Sequence, residues 1–235
     1  MKAFLLAAGL GTRLRPLTDA TPKCLIPICG KPLMEWWFML FARHGVSEVI
    51  VNTHYLSEQV SAFISAYNRR NTGLHVQEFY EPELLGSGGT VRANRNFIHG
   101  NEDFFICYAD NLTNIDLSNM LALQQQKQGV LTMALFRASN PKQCGIATLD
   151  GHGTIVDFVE KPDVPTSNLA NAGVYVASPR LFDYMGLGFC DFGKDVLPKL
   201  VRKMYGYEMT EYLMDIGTPD NLEKARMDWC SHDYI

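Results

Sequence analysis

Residues Leu5 to Thr18 read LLAAGLGTRLRPLT, and Pro22-Lys23 follow closely. An apolar run, Phe4 to Ala7, reads as a strand buried on both faces and passes directly into a loop hinged at Gly9 and Gly11. Glycines let backbone N–H groups approach an anion with no side chain intervening. Arg13 and Arg15 add permanently charged forks suited to phosphate oxygens, and Lys23 adds a point charge that can follow a moving phosphoryl group. Residues of these types at this spacing make a polyphosphate cradle.

Two commoner glycine motifs do not fit. A dinucleotide fingerprint needs a third glycine where Leu14 stands and an acid ending the next strand, where Asn52 stands. A nicotinamide-binding dehydrogenase is disfavoured on the same two residues. A P-loop needs Gly-Lys followed by Ser or Thr, whereas Gly30-Lys31 is followed by Pro32.

Two further features carry chemistry. Asp110 closes the apolar strand Phe104 to Tyr108 and reads equally as a metal ligand or as a turn residue. Leu85 to Thr90, LGSGGT, is a second glycine loop, introduced by Glu81-Pro82; it can admit a flat base or be a plain helix start capped by Ser87. Trp36, Trp37 and the methionines read as core, and His54 lacks partners at metal-ligand spacing.

The elements that must position these residues alternate through the first half. Leu33, Trp36, Trp37, Leu40 and Phe41 lie at helical spacing and end at His44-Gly45. Val49 to Asn52 is a strand, Ser57 starts a helix through Val60, Ile64 and Tyr67, and Leu74 to Phe79 is a strand. Repeated strand, helix, strand units imply right-handed crossovers in a mostly parallel sheet, with ligands beyond the carboxyl ends of its strands. From Val130 strands dominate: Val130 to Arg137, Ile146 to Leu149, Thr154 to Glu160 and Asn171 to Ala177. Leu197, Leu200, Val201 and Met204 form a helical stripe, and Thr218-Pro219 opens a final helix through Leu222, Ala225 and Trp229.

The 235 residues suit a single domain, with a nucleotide-binding half over about 1–110 and a second half over about 111–235. Net charge is −4, from 21 basic and 25 acidic side chains with no basic tract, which argues against nucleic-acid or membrane partners. The six cysteines show no CxxC spacing, so most are expected as free thiols. The chain opens directly on a core strand, so no signal peptide is expected, and it has no apolar run of bilayer length. A reduced, cytoplasmic protein is expected.

LAAGLGTRLRPLT together with PKCLIPICGKPL resembles the opening signature of the sugar-1-phosphate nucleotidyltransferases, nearest their mannose-1-phosphate and heptose-1-phosphate guanylyltransferase branch. Tyr108-Ala109-Asp110, Glu160-Lys161-Pro162, Asn171-Ala172-Gly173-Val174-Tyr175 and Asp215-Ile216-Gly217-Thr218-Pro219 follow in the family's order. Cys24 stands where the family often has proline, and Ala109 where it often has glycine.

The resemblance implies a Rossmann-like three-layer α/β/α nucleotidyltransferase fold with a mostly parallel mixed central sheet. It implies transfer of a nucleotidyl group from a nucleoside triphosphate, with GTP favoured over UTP or dTTP, to a sugar 1-phosphate. Arg13 and Lys23 are then the catalytic cations. Leu6, Ala8, Gly9, Gly11 and Thr12, with Gly86, Ser87 and Gly88, hold the nucleotide, while Asn111, Gly145, Glu160, Lys161 and Asn171 hold the sugar phosphate. Asp110 and Asp215 bind Mg²⁺. A non-catalytic nucleotide-sugar sensor is the rival within this fold. A monomer or homodimer is expected, with no β-helix extension after the last helix.

Overall fold

The apolar run after Met1 forms strand β1 (Lys2–Leu6) in a computed structural model of the chain, which describes residues 1–231. Along the chain follow helix α1 (Leu17–Ala20), strands β2 (Pro27–Ile28) and β3 (Lys31–Pro32), helix α2 (Leu33–Arg43), strand β4 (Glu48–Thr53), helix α3 (Ser57–Asn68) and strand β5 (His75–Tyr80). Helix α4 (Gly86–Ala93), strands β6 (Phe104–Tyr108) and β7 (Asn111–Thr113), helix α5 (Leu117–Lys127), and strands β8 (Leu131–Arg137), β9 (Gly145–Leu149), β10 (Ile155–Glu160) and β11 (Leu169–Ala177) come next. Strands β12 (Met204–Glu208) and β13 (Leu213–Asp215) and helix α6 (Pro219–Cys230) complete the order. The class is α/β, as expected.

The chain divides into two units. The first comprises Met1–Leu84, Tyr108–Ile115 and Glu211–Ile235, and the second Leu85–Cys107 and Asp116–Thr210.

In the first unit β1, β4 and β5 run parallel, with Leu6 opposite Asn52 and Asn52 opposite Phe79. Ala3, Phe4, Leu5, Val49 and Val51 are wholly buried, the near-continuous apolar run that a parallel strand covered on both faces requires. Helix α2 buries Leu33, Met34, Trp37, Phe38, Leu40 and Phe41 and ends where Gly45 adopts φ +74°. A separate cluster joins Leu14, Ile26, Ile28, Leu112, Ile216, Leu222 and Trp229, so the returning C-terminal helix packs beneath the segment that carries Lys23.

In the second unit β11 pairs antiparallel with β6 and β8, β9 with β10, and β12 runs parallel to β8. The turn between β9 and β10 is Asp150–Gly153, where Asp150 Oδ1 accepts the His152 and Thr154 N–H groups at 2.9 Å.

Four elements differ from expectation. Met204 opens β12 instead of ending a helix: Pro198 cannot donate within the turn Leu197–Leu200, and Arg202 at φ +65° turns the chain out. Helix α5 has no clear apolar stripe because Gln124 is one of its buried residues, donating to Gly129 O and accepting from Thr132 Oγ1. Strands β7 and β13 are three residues each, too short for periodicity to register. The cysteines also divide. Cys24, Cys107, Cys144 and Cys190 are thiols, whereas Cys29 and Cys230 form a disulfide that joins the β2–β3 ribbon to α6. Their separation of 201 residues left no spacing signal to read. Among the described residues no helix is long and apolar enough to cross a membrane.

Candidate functional site

The loop after β1 is held from below by a buried polar relay. The Ala7 N–H donates to Asn52 Oδ1 at 2.6 Å, and Asn52 Nδ2 donates to Glu81 Oε1 at 2.9 Å. Asn52 and Glu81 are 5% and 1% exposed. Asn52, which ends the expected strand Val49 to Asn52 and stands where a dinucleotide site has an acid, fixes the start of the glycine loop. Gly11 lies at φ +64°, and a Cβ there would sit 2.9 Å from Thr18 Cγ2, so both backbone angle and space require glycine. Thr18 Oγ1 donates to Gly11 O at 2.8 Å and closes the loop. A Cβ at Gly9 would meet nothing within 4 Å.

Four charged side chains gather beside this loop, all within the first unit. Ala109 donates its N–H to Leu6 O, which sets Asp110 at the level where β1 ends. Asn111, itself 7% exposed and accepting the Trp37 indole N–H on its carbonyl, then pairs with Asp215 across the antiparallel β7–β13 register. The register brings the two aspartates to one end of one ribbon, and the Ile216 N–H donating to Asp110 O at 3.1 Å locks them there. Lys23 reaches both: Nζ lies 2.9 Å from Asp110 Oδ2 and 3.2 Å from Asp215 Oδ1. Its side chain is 10% exposed, whereas those of Asp110 and Asp215 are 40% and 46% exposed. Arg13, more open at 64%, approaches Asp215 Oδ2 to 3.7 Å. Arg15 turns instead to Asp19, four residues on.

Gly217 is the residue that sequence reasoning passed over. Its N–H donates to Asp215 Oδ1 at 2.7 Å, and a Cβ there would lie 2.5 Å from the Arg13 guanidinium nitrogen and 2.8 Å from Asp215 Oδ1. Its place in Asp215-Ile216-Gly217-Thr218 was the available signal. Asn221 Nδ2 holds the Asp215 carbonyl, and Thr218 caps α6 by accepting the Asn221 N–H.

The second unit carries a different cluster. Glu160 ends β10 opposite Gly145 of β9, and a Cβ on Gly145 would come within 2.6 Å of Glu160 Oε2. A Cβ on Gly193 would come within 3.2 Å of the same oxygen. Burial raises the Glu160 carboxyl above its ordinary value; Lys161 opposes this and Asp191 adds to it. Lys161 itself sits at φ +50°, its N–H bonded to Cys144 O. Asn171 donates to the Tyr175 hydroxyl at 2.6 Å and accepts the Gly173 N–H at 2.9 Å, at the irregularity in the β11–β8 pairing.

The second glycine loop is packed against the segment Cys190–Phe192. Gly88 and Gly89 donate to Cys190 O, and a Cβ at Gly86 would lie 2.5 Å from that oxygen. Ser87 Oγ accepts the Phe192 N–H, so it does not cap α4.

Paired carboxylates, two cations and a glycine loop thus meet at the end of a parallel strand in an α/β protein. The chain belongs to the nucleotidyl transferase family, whose model matches residues 2–232. It is 33% identical over 223 residues to the catalytic subunit beta of mannose-1-phosphate guanylyltransferase from Danio rerio, covering 93% of this chain and 62% of that one. It is 32% identical to a UTP–glucose-1-phosphate uridylyltransferase from Synechocystis, covering 96% of this chain and 63% of the relative. The chain thus spans about three fifths of the length of these curated relatives. Its fold matches the solved structure of UDP-glucose pyrophosphorylase complexed with UDP-glucose, with a TM-score of 0.82, 23% identity and 98% of each chain covered.

Proposed function

We propose that this protein transfers a nucleotidyl group from a nucleoside triphosphate to a sugar 1-phosphate, releasing pyrophosphate, with GTP as the favoured donor. The observation that carries this is the convergence of Lys23, Asp110, Asp215 and Arg13 beside the glycine loop. In such a reaction the attacking sugar phosphate is already an anion. Little general-base work is required; the task is to align two repelling polyanions and neutralise charge moving onto the leaving group. The cluster suits that work and holds no nucleophile–base pair. Arg13 and Lys23 would bind the triphosphate and the departing pyrophosphate, and the loop Leu6 to Thr12 would offer backbone donors. Asn111, Gly145, Glu160, Lys161 and Asn171 are assigned to the sugar phosphate, and Gly86, Ser87 and Gly88 to the base.

Asp110 and Asp215 fit Mg²⁺: they already share one cation, the Lys23 ammonium, and magnesium sites commonly use one or two carboxylates with phosphate and water completing the shell. Bound there, the metal would neutralise phosphate charge.

GTP is favoured by the guanylyltransferase relative, and UTP is the second reading because a uridylyltransferase is almost equally similar. The cytoplasm is the inferred location, although a bond such as Cys29–Cys230 is more typical of an oxidising compartment. Pyrophosphate release measured for the four nucleoside triphosphates against a panel of sugar 1-phosphates tests both substrates. A single strongly preferred pair is expected, and no release from any pair would refute the activity.

A further inference from the structure

We infer, resting on the nucleotidyl-transfer reading, that Lys23 is an internal counter-ion which competes with the divalent metal for Asp110 and Asp215, so that metal binding requires Lys23 to let go. Its ammonium lies within hydrogen-bond distance of both carboxylates, 2.9 Å from Asp110 Oδ2 and 3.2 Å from Asp215 Oδ1. Magnesium bound by the same oxygens would need them at about 2.0–2.1 Å, and an ammonium hydrogen-bonded to those oxygens stands in the way both sterically and by like charge. On those two oxygens the cations are alternatives, and across the pair of carboxylates they repel.

The burial gradient gives the exchange a direction. The Lys23 side chain is 10% exposed while the carboxylates are 40% and 46% exposed, so the ammonium holds them from the inner side and an incoming ion meets them from solvent. The Asp215 carboxylate and the Asp110 backbone are held in place as it arrives. Asp215 Oδ1 also accepts the Gly217 N–H, and Asp110 is fixed through its carbonyl by Ile216. Lysine, with a flexible stem and rotatable donors, is the member of the cluster able to move. Once displaced, it needs another anion, and a triphosphate oxygen supplies one. Metal and nucleotide then favour each other's binding, because each removes a cost the other would meet alone, and the coupling is reciprocal.

Arg13 offers an internal comparison. It is mostly exposed and approaches only Asp215, at 3.7 Å, so it contributes charge to the site without occupying both ligands.

The test is direct titration of Mn²⁺ alone, in the absence of nucleotide, followed by calorimetry and by the free-ion paramagnetic resonance signal. Lys23→Met keeps the stem and removes the charge; Lys23→Gln keeps a donor and serves as the second variant should methionine not fold. Either should bind Mn²⁺ about tenfold more tightly than the wild type, and Arg13→Met should gain clearly less. The double variant K23M/D110N should lose the gain. Equal or weaker binding in both lysine variants, or an equal gain from Arg13→Met, overturns the counter-ion role. If Asp110→Asn still weakens Mn²⁺ binding in that event, the metal site and the transfer reading stand. Absence of Mn²⁺ binding in every protein, together with no pyrophosphate release, would remove both.

Discussion

Asp215 stands opposite Asn111 in the antiparallel pairing of β13 with β7, and this single register is what makes Asp215 a neighbour of Asp110. Neither strand is longer than three residues, yet they place two carboxylates on one lysine. Shifting a strand by one residue would turn the side chain to the other face and separate the pair.

Asp110→Asn and Asp215→Asn should each lower turnover about 100-fold or more, as loss of preorganised charge stabilisation typically does. Pyrophosphate-release kinetics with an unchanged circular-dichroism spectrum is the measurement. A variant that folds and keeps wild-type turnover removes that aspartate from the reaction.

Gly217→Ala should damage the site where Gly151→Ala, in the β9–β10 turn, does not. The added methyl at Gly217 meets the Arg13 guanidinium at 2.5 Å, whereas at Gly151 nothing lies within 4 Å. Displacement of Arg13 is expected to raise KM for the nucleoside triphosphate with little change in melting temperature. Similar kinetics for the two variants would contradict the steric account.

The Cys29–Cys230 bond closes a loop with a sequence separation of 201, which in the chain-entropy limit stabilises by up to about 5 kcal/mol. Cys29→Ser should melt at a lower temperature than the wild type under non-reducing conditions, and the two should converge in reductant. Thiol titration of the denatured, unreduced protein should count four, rising to six after reduction.

Glu160 has its carboxyl raised from the ordinary 4.5 by burial. A carboxyl raised on folding favours the folded state fully below its unfolded value, where both states are protonated, and that advantage is lost as pH rises through the folded value. Glu160→Gln should therefore gain stability relative to the wild type as pH climbs above about 4.5 toward neutrality. Denaturant titrations at pH 4 and pH 7 compare the two proteins; a gap that is the same at both would show that burial does not perturb this group.

Asn52→Ala breaks the relay that joins the Ala7 N–H to Glu81 in a buried position. Losing hydrogen bonds there should destabilise by about 1–3 kcal/mol. Because the relay holds the start of the glycine loop, KM for the triphosphate should rise as well. Unaltered stability in denaturant would show that other groups hold the loop.

Much of this was legible in the residues themselves. The run Phe4–Leu5–Leu6 and the glycines behind it announced a buried strand and an anion loop, because burial on both faces leaves an uninterrupted apolar signature and a tight turn leaves glycine. The periodicity of Leu33, Trp37 and Phe41 announced α2 for the same local reason. Where local pattern was weak, the elements were lost: α5 hides its inner face behind Gln124, and β7, β12 and β13 are short or follow a proline-bearing turn.

Local chemistry marked Arg13, Lys23 and Asp110 and where the backbone can bend, and the family resemblance added Asp215. Only the tertiary structure decided that Lys23 would bridge both aspartates, that Asn52 would support Ala7, that Gly217 would make room for Arg13, and that Cys29 would meet Cys230. Each of these joins residues far apart along the chain through a hydrogen-bond distance, a packing clearance or a bond. Such relationships depend on strand register and helix return, which no neighbouring residue encodes.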